Sequence, residues 1–138
     1  MDATSMENSI KFLVSIKKTY PEFNFKQGKR FSFHPKKTIT YSETENNFEL
    51  LLLHELGHAL NGDFSFKTDI ERLKIEMNAW ETAKKLANSL NVTYDEEFIE
   101  NELDSYRNWL HKKSLCKSCG LTRYQTPDGV YHCPHCEL

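Results

Sequence analysis

The segment Leu50-Leu51-Leu52-Leu53-His54-Glu55-Leu56-Gly57-His58-Ala59 carries both the strongest fold signal and the strongest chemical signal of this chain. The apolar positions that recur with helical spacing here are Phe48, Leu51, Leu52, Leu56 and Ala59. Together with Asn61-Gly62, which is typical of a helix end, they predict a mostly buried helix over residues 45–60. His54 and His58 are four residues apart, so their rings leave the same face of that helix.

Two histidines at this spacing can bind one metal ion, with Glu55 beside it. Neutral imidazole nitrogens suit Zn²⁺, which in catalytic sites takes three protein ligands and one water. Because zinc lowers the pKa of that water from about 15.7 to about 7, Glu55 is expected to be the general base that takes its proton and passes it to a leaving amine. Burying two histidines and a glutamate in an apolar helix is costly without such a role. The alternative is a pair of satisfied surface histidines.

The third metal ligand is expected on a following helix, and Glu76 is the preferred candidate. It lies 18 residues after His58, inside a helix predicted to run from Thr68 to about Leu90. Ala79, one turn further along, would let this helix approach the metal-binding helix closely. The competing ligands are Glu71, Glu81 and His111. Of these, Glu71 is expected to cap the helix together with Thr68. The alternative for Glu76 itself is an ordinary exposed glutamate.

The remaining pattern predicts an α+β protein with about four helices and a short β-hairpin or sheet, in a small domain whose His54–His58 helix resembles that of zincin-like proteins. A first helix covers residues 7–19 and ends before Pro21. Phe31 and Phe33 belong to the first arm of the hairpin, and Thr38–Tyr41 form the second arm, which is expected at a sheet edge. A fourth helix extends to about Lys113 from a capping signature. The residues of that signature are Thr93 and Glu96.

The tail differs in kind, because all four cysteines lie in the last 23 residues. Cys116-x-x-Cys119 and Cys133-x-x-Cys136 are separated by 13 residues, which predicts a Cys₄ structural zinc site. Zinc would supply the folding energy that so short a ribbon cannot draw from a core. The domains are therefore expected at residues 1–113 and 114–138. The alternatives are local disulfides or a redox pair, or replacement of one cysteine ligand by His132 or His135.

Composition and charge exclude several classes of protein. The chain is 38% hydrophobic and 28% charged, which argues against a disordered or membrane-embedded protein. Its longest apolar run, Leu50–Leu53, is far too short to span a bilayer, and the N-terminal stretch does not resemble a signal peptide. Metal-binding cysteines favour a reducing compartment, so a cytoplasmic protein is expected. Residues 11–37 hold eight Lys/Arg and one acid. This charge indicates a solvated surface or, alternatively, a nucleic-acid contact.

The order of these features resembles that of the gluzincin metallopeptidases, especially the ImmA/IrrE family. The likeness covers roughly residues 30 to 90: a β-arm, the His54–His58 helix, and a later helix with Glu76-x-x-Ala79. It implies that two histidines and Glu76 hold a catalytic zinc and that Glu55 is the base. Where the family usually carries a second glutamate and an asparagine, this chain has Asn78 and Trp80. Since tryptophan cannot accept a hydrogen bond from a ligand histidine, that partner is expected elsewhere.

The tail is similar to the zinc ribbon of SprT-like metallopeptidases, which deal with DNA–protein crosslinks. That group uses a third histidine, and this chain has no histidine between His58 and His111. Two functions follow as hypotheses. The first is a peptidase that binds an intracellular protein by strand addition along Thr38–Tyr41. The second is a non-catalytic zinc-binding adaptor, or a DNA-associated protein that docks through the ribbon. The candidates for a donor to the transition state are Tyr94, Tyr106 and His111.

Overall fold

The computed structural model describes residues 3–34, 37–43, 45–63 and 65–137, with side chains in the first helix described from Met6 onward. In this part of the chain the fold is mixed α+β. The helices are α1 (Ala3–Thr19), α2 (Phe48–Asn61), α3 (Asp69–Ser89) and α4 (Glu96–Ser114). The strands are β1 (Asn24–Gln27), β2 (Ser32–His34), β3 (Thr38–Tyr41), β4 (Tyr124–Gln125) and β5 (Tyr131–His132).

The chain divides into two compact units. The first comprises Met1–Phe64 and Asn78–Tyr94, and the second comprises Ser65–Met77 and Asp95–Leu138. The long helix α3 is continuous and contributes residues to both. The second unit therefore contains α4, the start of α3 and the cysteine-rich tail, and the boundary expected at residues 113/114 stays a prediction. None of the helices in the described ranges is both long and apolar enough to cross a membrane.

Helix α2 is the central element of the first unit. Leu52, Leu53 and Leu56 have no exposed surface, as the apolar pattern predicts for a buried helix. Gly62 ends the helix in the left-handed conformation, with φ of 70°, and its backbone N–H donates to the carbonyl of Ala59. This C-cap is the one that Asn61-Gly62 predicts, because glycine adopts positive φ without a steric cost. The helix begins at Phe48 and not at residue 45.

The sheet of the first unit corrects one expectation. β2 and β3 pair antiparallel, so the predicted hairpin is confirmed, but β1 pairs parallel with the other side of β3. The strand order is β1-β3-β2. The prediction that Thr38–Tyr41 lies at a sheet edge is therefore wrong, because both sides of β3 are paired. Strand β1 (Asn24–Gln27) escapes notice in the sequence because it has no β-branched residue and only one apolar residue.

Helices α2 and α3 approach closely inside the first unit, at Gly57 and Ala79. A Cβ built on Gly57 would lie 2.6 Å from the carbonyl oxygen of Ala79. The expected role of Ala79 as a small contact residue is confirmed, and Gly57 is the second half of that contact. Next to it, the indole of Trp80 is 1% exposed. The short distance between the two helix backbones follows from the two small side chains that face each other.

The N-termini of α3 and α4 carry side-chain caps. The hydroxyl oxygen of Thr68 accepts from the backbone N–H of Glu71 at 3.3 Å, and the Glu71 carboxylate accepts from the backbone N–H of Lys67 at 3.1 Å. That bond lowers the pKa of Glu71. The capping role expected of Thr68 and Glu71 is thus confirmed. For α4 the expected cap at Thr93 is wrong, because Asp95 accepts from the backbone N–H of Glu97 instead.

Candidate metal centre

Three of the predicted ligands come together. One ligand atom from each of His54, His58 and Glu76 can be chosen so that all three lie within 4.8 Å of one another. The two histidines lie on the same face of α2, because residues four apart in a helix point in nearly the same direction. Glu76 lies on α3, one helical turn before Ala79 and Trp80. All three ligand residues are buried, with exposed fractions of 8%, 7% and 8% respectively. Polar groups buried to this extent need partners, and a cation satisfies three such groups at once.

Glu55 lies beside this group without being a member of it. Its Oε1 is 3.5 Å from Nδ1 of His54, and the residue is 8% exposed. Glu55 is therefore near the candidate ligands but outside their group, whereas Glu76 belongs to it.

Asp63 is the hydrogen-bond partner of His58, and the sequence alone does not identify it. Its Oδ2 is 3.1 Å from Nδ1 of His58, and its side chain is 15% exposed. Asp63 follows directly on the Gly62 cap, so the left-handed turn directs the chain back along α2. A carboxylate on Nδ1 fixes the ring orientation and leaves Nε2 as the metal-binding nitrogen. The signal in the sequence is the acid immediately after the helix-ending glycine.

Trp80 contacts one of the two histidines of this group. Its indole stacks on the imidazole of His54, with ring centroids 4.1 Å apart and an angle of 7° between the planes. Parallel stacking at this distance restricts rotation of the His54 ring. Trp80 therefore restrains the ring of His54, and Asp63 restrains that of His58.

The competing ligands are engaged elsewhere. Glu71 caps α3, and Glu81 is exposed and pairs with Lys84 at 3.4 Å. His111 is an exposed residue in the last turn of α4. Of the candidate transition-state donors, Tyr106 packs its ring against the guanidinium of Arg72, 5.6 Å from the ring centroid. None of these residues belongs to the cluster around His54, in which Glu76 is the third candidate ligand among the described residues.

A second group consists of the four cysteines of the tail, in the second unit. All four sulfur atoms lie within 4.8 Å of one another, and the cysteines are free thiols. The sulfur atoms of Cys116 and Cys136 are 3.9 Å apart, and those of Cys119 and Cys133 are 3.6 Å apart. Disulfides need about 2.0 Å. Zinc–thiolate bonds of about 2.3 Å in a tetrahedron require about 3.8 Å between sulfurs, which is close to both observed distances.

Each Cys-x-x-Cys pair forms a knuckle, and the backbone around the first one, Cys116–Cys119, also suits a metal-bound thiolate. The pKa of Cys116 is lowered to about 6, chiefly because the backbone N–H groups of Cys119 and Ser118 donate to its sulfur. In contrast, the pKa of Cys136 is raised to about 12 by its sulfur neighbours, with Cys119 the largest contributor. Thiolates at these distances repel one another when no cation lies between them. A divalent ion removes that conflict.

The two histidines near the second knuckle lie outside the four-sulfur group. Nδ1 of His132 is 2.9 Å from the carboxylate of Glu137, and the His132 ring stacks on Tyr124 with centroids 5.4 Å apart. His135 lies with its Nδ1 3.9 Å from the sulfur of Cys136. Among the described residues, the group that could hold a metal here thus consists of the four thiols alone.

Comparison with known proteins gives no relative to argue from. No protein-family model matches the chain, and neither a curated protein nor a solved structure matches it significantly.

Proposed function

We propose that this chain is a zinc-dependent metallopeptidase of the gluzincin type, in which His54, His58 and Glu76 hold the metal and Glu55 is the general base. The observation that carries the proposal is the convergence of three ligand atoms from buried residues within 4.8 Å of one another, with a fourth residue, the acidic Glu55, beside them. The resemblance to the ImmA/IrrE family supports it through the same residues. A second, structural zinc is proposed for the four cysteines.

The chemistry of the donors suits zinc. Two neutral imidazoles and one carboxylate match the ligand set of catalytic zinc, and a bound Zn²⁺ would supply a Lewis acid that polarises a peptide carbonyl and makes water acidic. Glu55 accepts a proton at its carboxylate and returns it to the amine of the cleaved bond. Asp63 keeps the His58 ring in one orientation, and Trp80 does the same for His54. Burial of the group limits access of bulk water.

The route by which a substrate binds differs from the one expected from the sequence. A peptide cannot add to Thr38–Tyr41, because β3 already has a neighbour on each side. Within the described sheet the outer strands are β1 and β2, and β2 contacts α2. We therefore propose that an extended protein segment adds to this sheet at the outer strand that contacts α2, which is β2 (Ser32–His34), by the backbone hydrogen bonding of strand addition. A transcriptional repressor or a DNA-bound protein remains the kind of target that the two resemblances suggest.

A non-catalytic zinc-binding adaptor is the second candidate, and one observation favours it. The four residues of the centre are only 7% to 8% exposed, whereas a peptidase must admit a backbone carbonyl to its metal. Exposed fractions this low are expected of a structural metal site. In that case the ribbon, which we otherwise regard as a structural part, would dock to DNA or to a DNA-bound protein. A reducing compartment such as the cytoplasm suits both candidates, because all four cysteines are free thiols.

Cleavage by the wild type and by Glu55→Gln separates the two candidates. The variant removes the base but leaves every metal ligand in place, so both proteins should contain two zinc ions per chain by elemental analysis. We expect new N-termini, detected by mass spectrometry in a proteome-derived peptide library, only with the wild type. Glu81→Gln is the matched control, because it makes the same change at an exposed residue, and it should cleave like the wild type.

The outcomes are distinct. Two zinc ions in both proteins with cleavage in neither would support the adaptor. Equal cleavage by Glu55→Gln and the wild type would contradict the role of Glu55, and a single zinc per chain would contradict the metal centre itself.

A further inference from the structure

Asp69, the first residue of α3, connects the cysteine-rich ribbon to the helix that carries Glu76. It is 4% exposed. Its carboxylate accepts a hydrogen bond from the hydroxyl of Tyr131 and forms an ion pair with Lys113 at 3.1 Å. Its backbone N–H donates to Oε1 of Gln125 at 2.7 Å. Because the first N–H groups of a helix have no partner within the helix, the ribbon supplies one here.

The ribbon also touches the backbone just before α3. Gly129, in the turn between β4 and β5, has φ of +91°, and a Cβ built on it would lie 2.8 Å from the carbonyl oxygen of Lys67. The amide of Gln125 donates to the Gly129 carbonyl at 2.9 Å. That amide therefore bonds to the ribbon turn with its nitrogen and to α3 with its oxygen. A side chain at position 129 would separate the two.

Tyr131 is held in place from a second side. The guanidinium of Arg123 lies over its ring, 4.6 Å from the centroid, and donates to the carbonyl of Lys113 at 2.7 Å. Burial, together with the bond to Asp69, raises the pKa of Tyr131 to about 12. The hydroxyl therefore stays protonated at neutral pH and continues to donate to Asp69.

We infer that the ribbon is a clamp on the start of α3, and that Asp69 is a positioning residue for the metal ligand Glu76. Glu76 lies seven residues, or about two turns, after Asp69 on the same helix. Without the clamp, the first turns of α3 would fray, since helix ends are held by their caps and tertiary contacts. Folding of the ribbon around its own metal would thus strengthen metal binding at Glu76. The inference rests on the proposed metal centre.

Two variants remove the clamp without touching a metal ligand. Tyr131→Phe deletes only the hydroxyl that donates to Asp69, and Asp69→Asn weakens both that bond and the ion pair with Lys113. Tyr124→Phe is the matched control, because Tyr124 is 55% exposed on the same hairpin. Each full-length protein is titrated with Co²⁺. Thiolate-to-cobalt charge-transfer absorption measures Co²⁺ binding at the four cysteines. Visible d–d bands that grow without a change in this absorption measure Co²⁺ binding at the histidine centre.

The expected result is selective. Tyr131→Phe and Asp69→Asn should bind Co²⁺ at the histidine centre about fivefold to tenfold more weakly, with the thiolate band unchanged and with Tyr124→Phe like the wild type. Amide hydrogen exchange should be faster over residues 69–77 in the two variants, as expected for local fraying. Equal weakening at the thiolates would indicate general loss of folding and would overturn the positioning role. Unchanged affinity and exchange would also overturn it.

Failure of the proposed function gives a different pattern. If the wild type binds only one Co²⁺, at the thiolates, the metal centre is contradicted while hydrogen exchange still tests the clamp. Faster exchange over residues 69–77 in Tyr131→Phe would then support the clamp on α3, and unchanged exchange would overturn it.

Discussion

The indole of Trp80 lies flat against the imidazole of His54, with centroids 4.1 Å apart and planes 7° apart. Trp80 comes from α3 and His54 from α2, so the stack joins the two helices that carry the proposed metal ligands. A side chain that cannot accept a hydrogen bond still restrains a ligand histidine, by covering one face of its ring.

The stack makes Trp80 a reporter of metal binding. The chain has two tryptophans, so Trp109→Phe leaves Trp80 as the only indole. We expect Co²⁺ to quench the emission of this protein at the concentration that fills the histidine centre, because the ion would lie next to the ring that Trp80 stacks on. Adding Glu76→Gln should shift the quenching to higher Co²⁺ concentration. Quenching that is the same with and without Glu76 would contradict its role as a ligand.

Asp63→Asn should weaken metal binding without unfolding the protein. The carboxylate that accepts from Nδ1 of His58 at 3.1 Å becomes an amide, which fixes the ring less strongly. The loss of zinc affinity is expected to be about 10-fold to 100-fold, measured by competition with a chromophoric chelator. Glu81→Gln, at an exposed acid, should have unchanged affinity. An unchanged affinity in Asp63→Asn would show that the aspartate is not needed to orient His58.

Gly57→Ala should destabilise the packing of α2 on α3. Its Cβ would lie 2.6 Å from a backbone oxygen, that of Ala79, which cannot rotate away as a flexible side chain would. We expect a decrease of about 1–3 kcal/mol in the free energy of unfolding, measured by urea denaturation. Leu60→Ala, at a residue of the same helix that is 41% exposed, should change it by less. A neutral Gly57→Ala would contradict the close contact.

The cap at Glu71 should make the stability of α3 depend on pH. The backbone N–H of Lys67 lowers the pKa of the Glu71 carboxyl, so this contribution is present above the unfolded-state pKa and is lost as pH falls through the lower, folded-state pKa. Glu71→Gln should therefore lower the thermal midpoint at pH 7 and have a smaller effect at about pH 3. If the thermal midpoints of Glu71→Gln and the wild type differ as much at about pH 3 as at pH 7, the role of Glu71 in the cap is contradicted.

Residue types predict the parts of this fold that depend on neighbours in sequence. They do not predict the parts that depend on pairing between distant residues. The helix end at Gly62, the cap of Thr68 and the hairpin depend on residues close in sequence, so their types indicate them. The position of β3 in the sheet depends on its pairing with β1, which is distant along the chain and lacks a strong β pattern. Likewise, the cap of α4 at Asp95 competes with an equally plausible signature at Thr93.

The candidate site divides in the same way. Spacing alone indicates His54 and His58, because one helix fixes their relation, and it also indicates the four cysteines. The partners that orient the histidines require tertiary structure. Asp63 reaches His58 only because Gly62 directs the chain back, and Trp80 reaches His54 only because Gly57 and Ala79 let two helices approach. The contact of Asp69 with Tyr131 joins residues 62 positions apart, which no local pattern can predict.

Anomalous diffraction at the zinc absorption edge, from crystals of the full chain, tests the central claim most directly. The account predicts two peaks. One should be surrounded by the four sulfur atoms of the tail, and the other should lie between an imidazole nitrogen of His54, one of His58 and a carboxylate oxygen of Glu76, at about 2.0–2.2 Å from each. A single peak at the four sulfurs, or a second peak away from these three residues, would contradict the proposed metal centre.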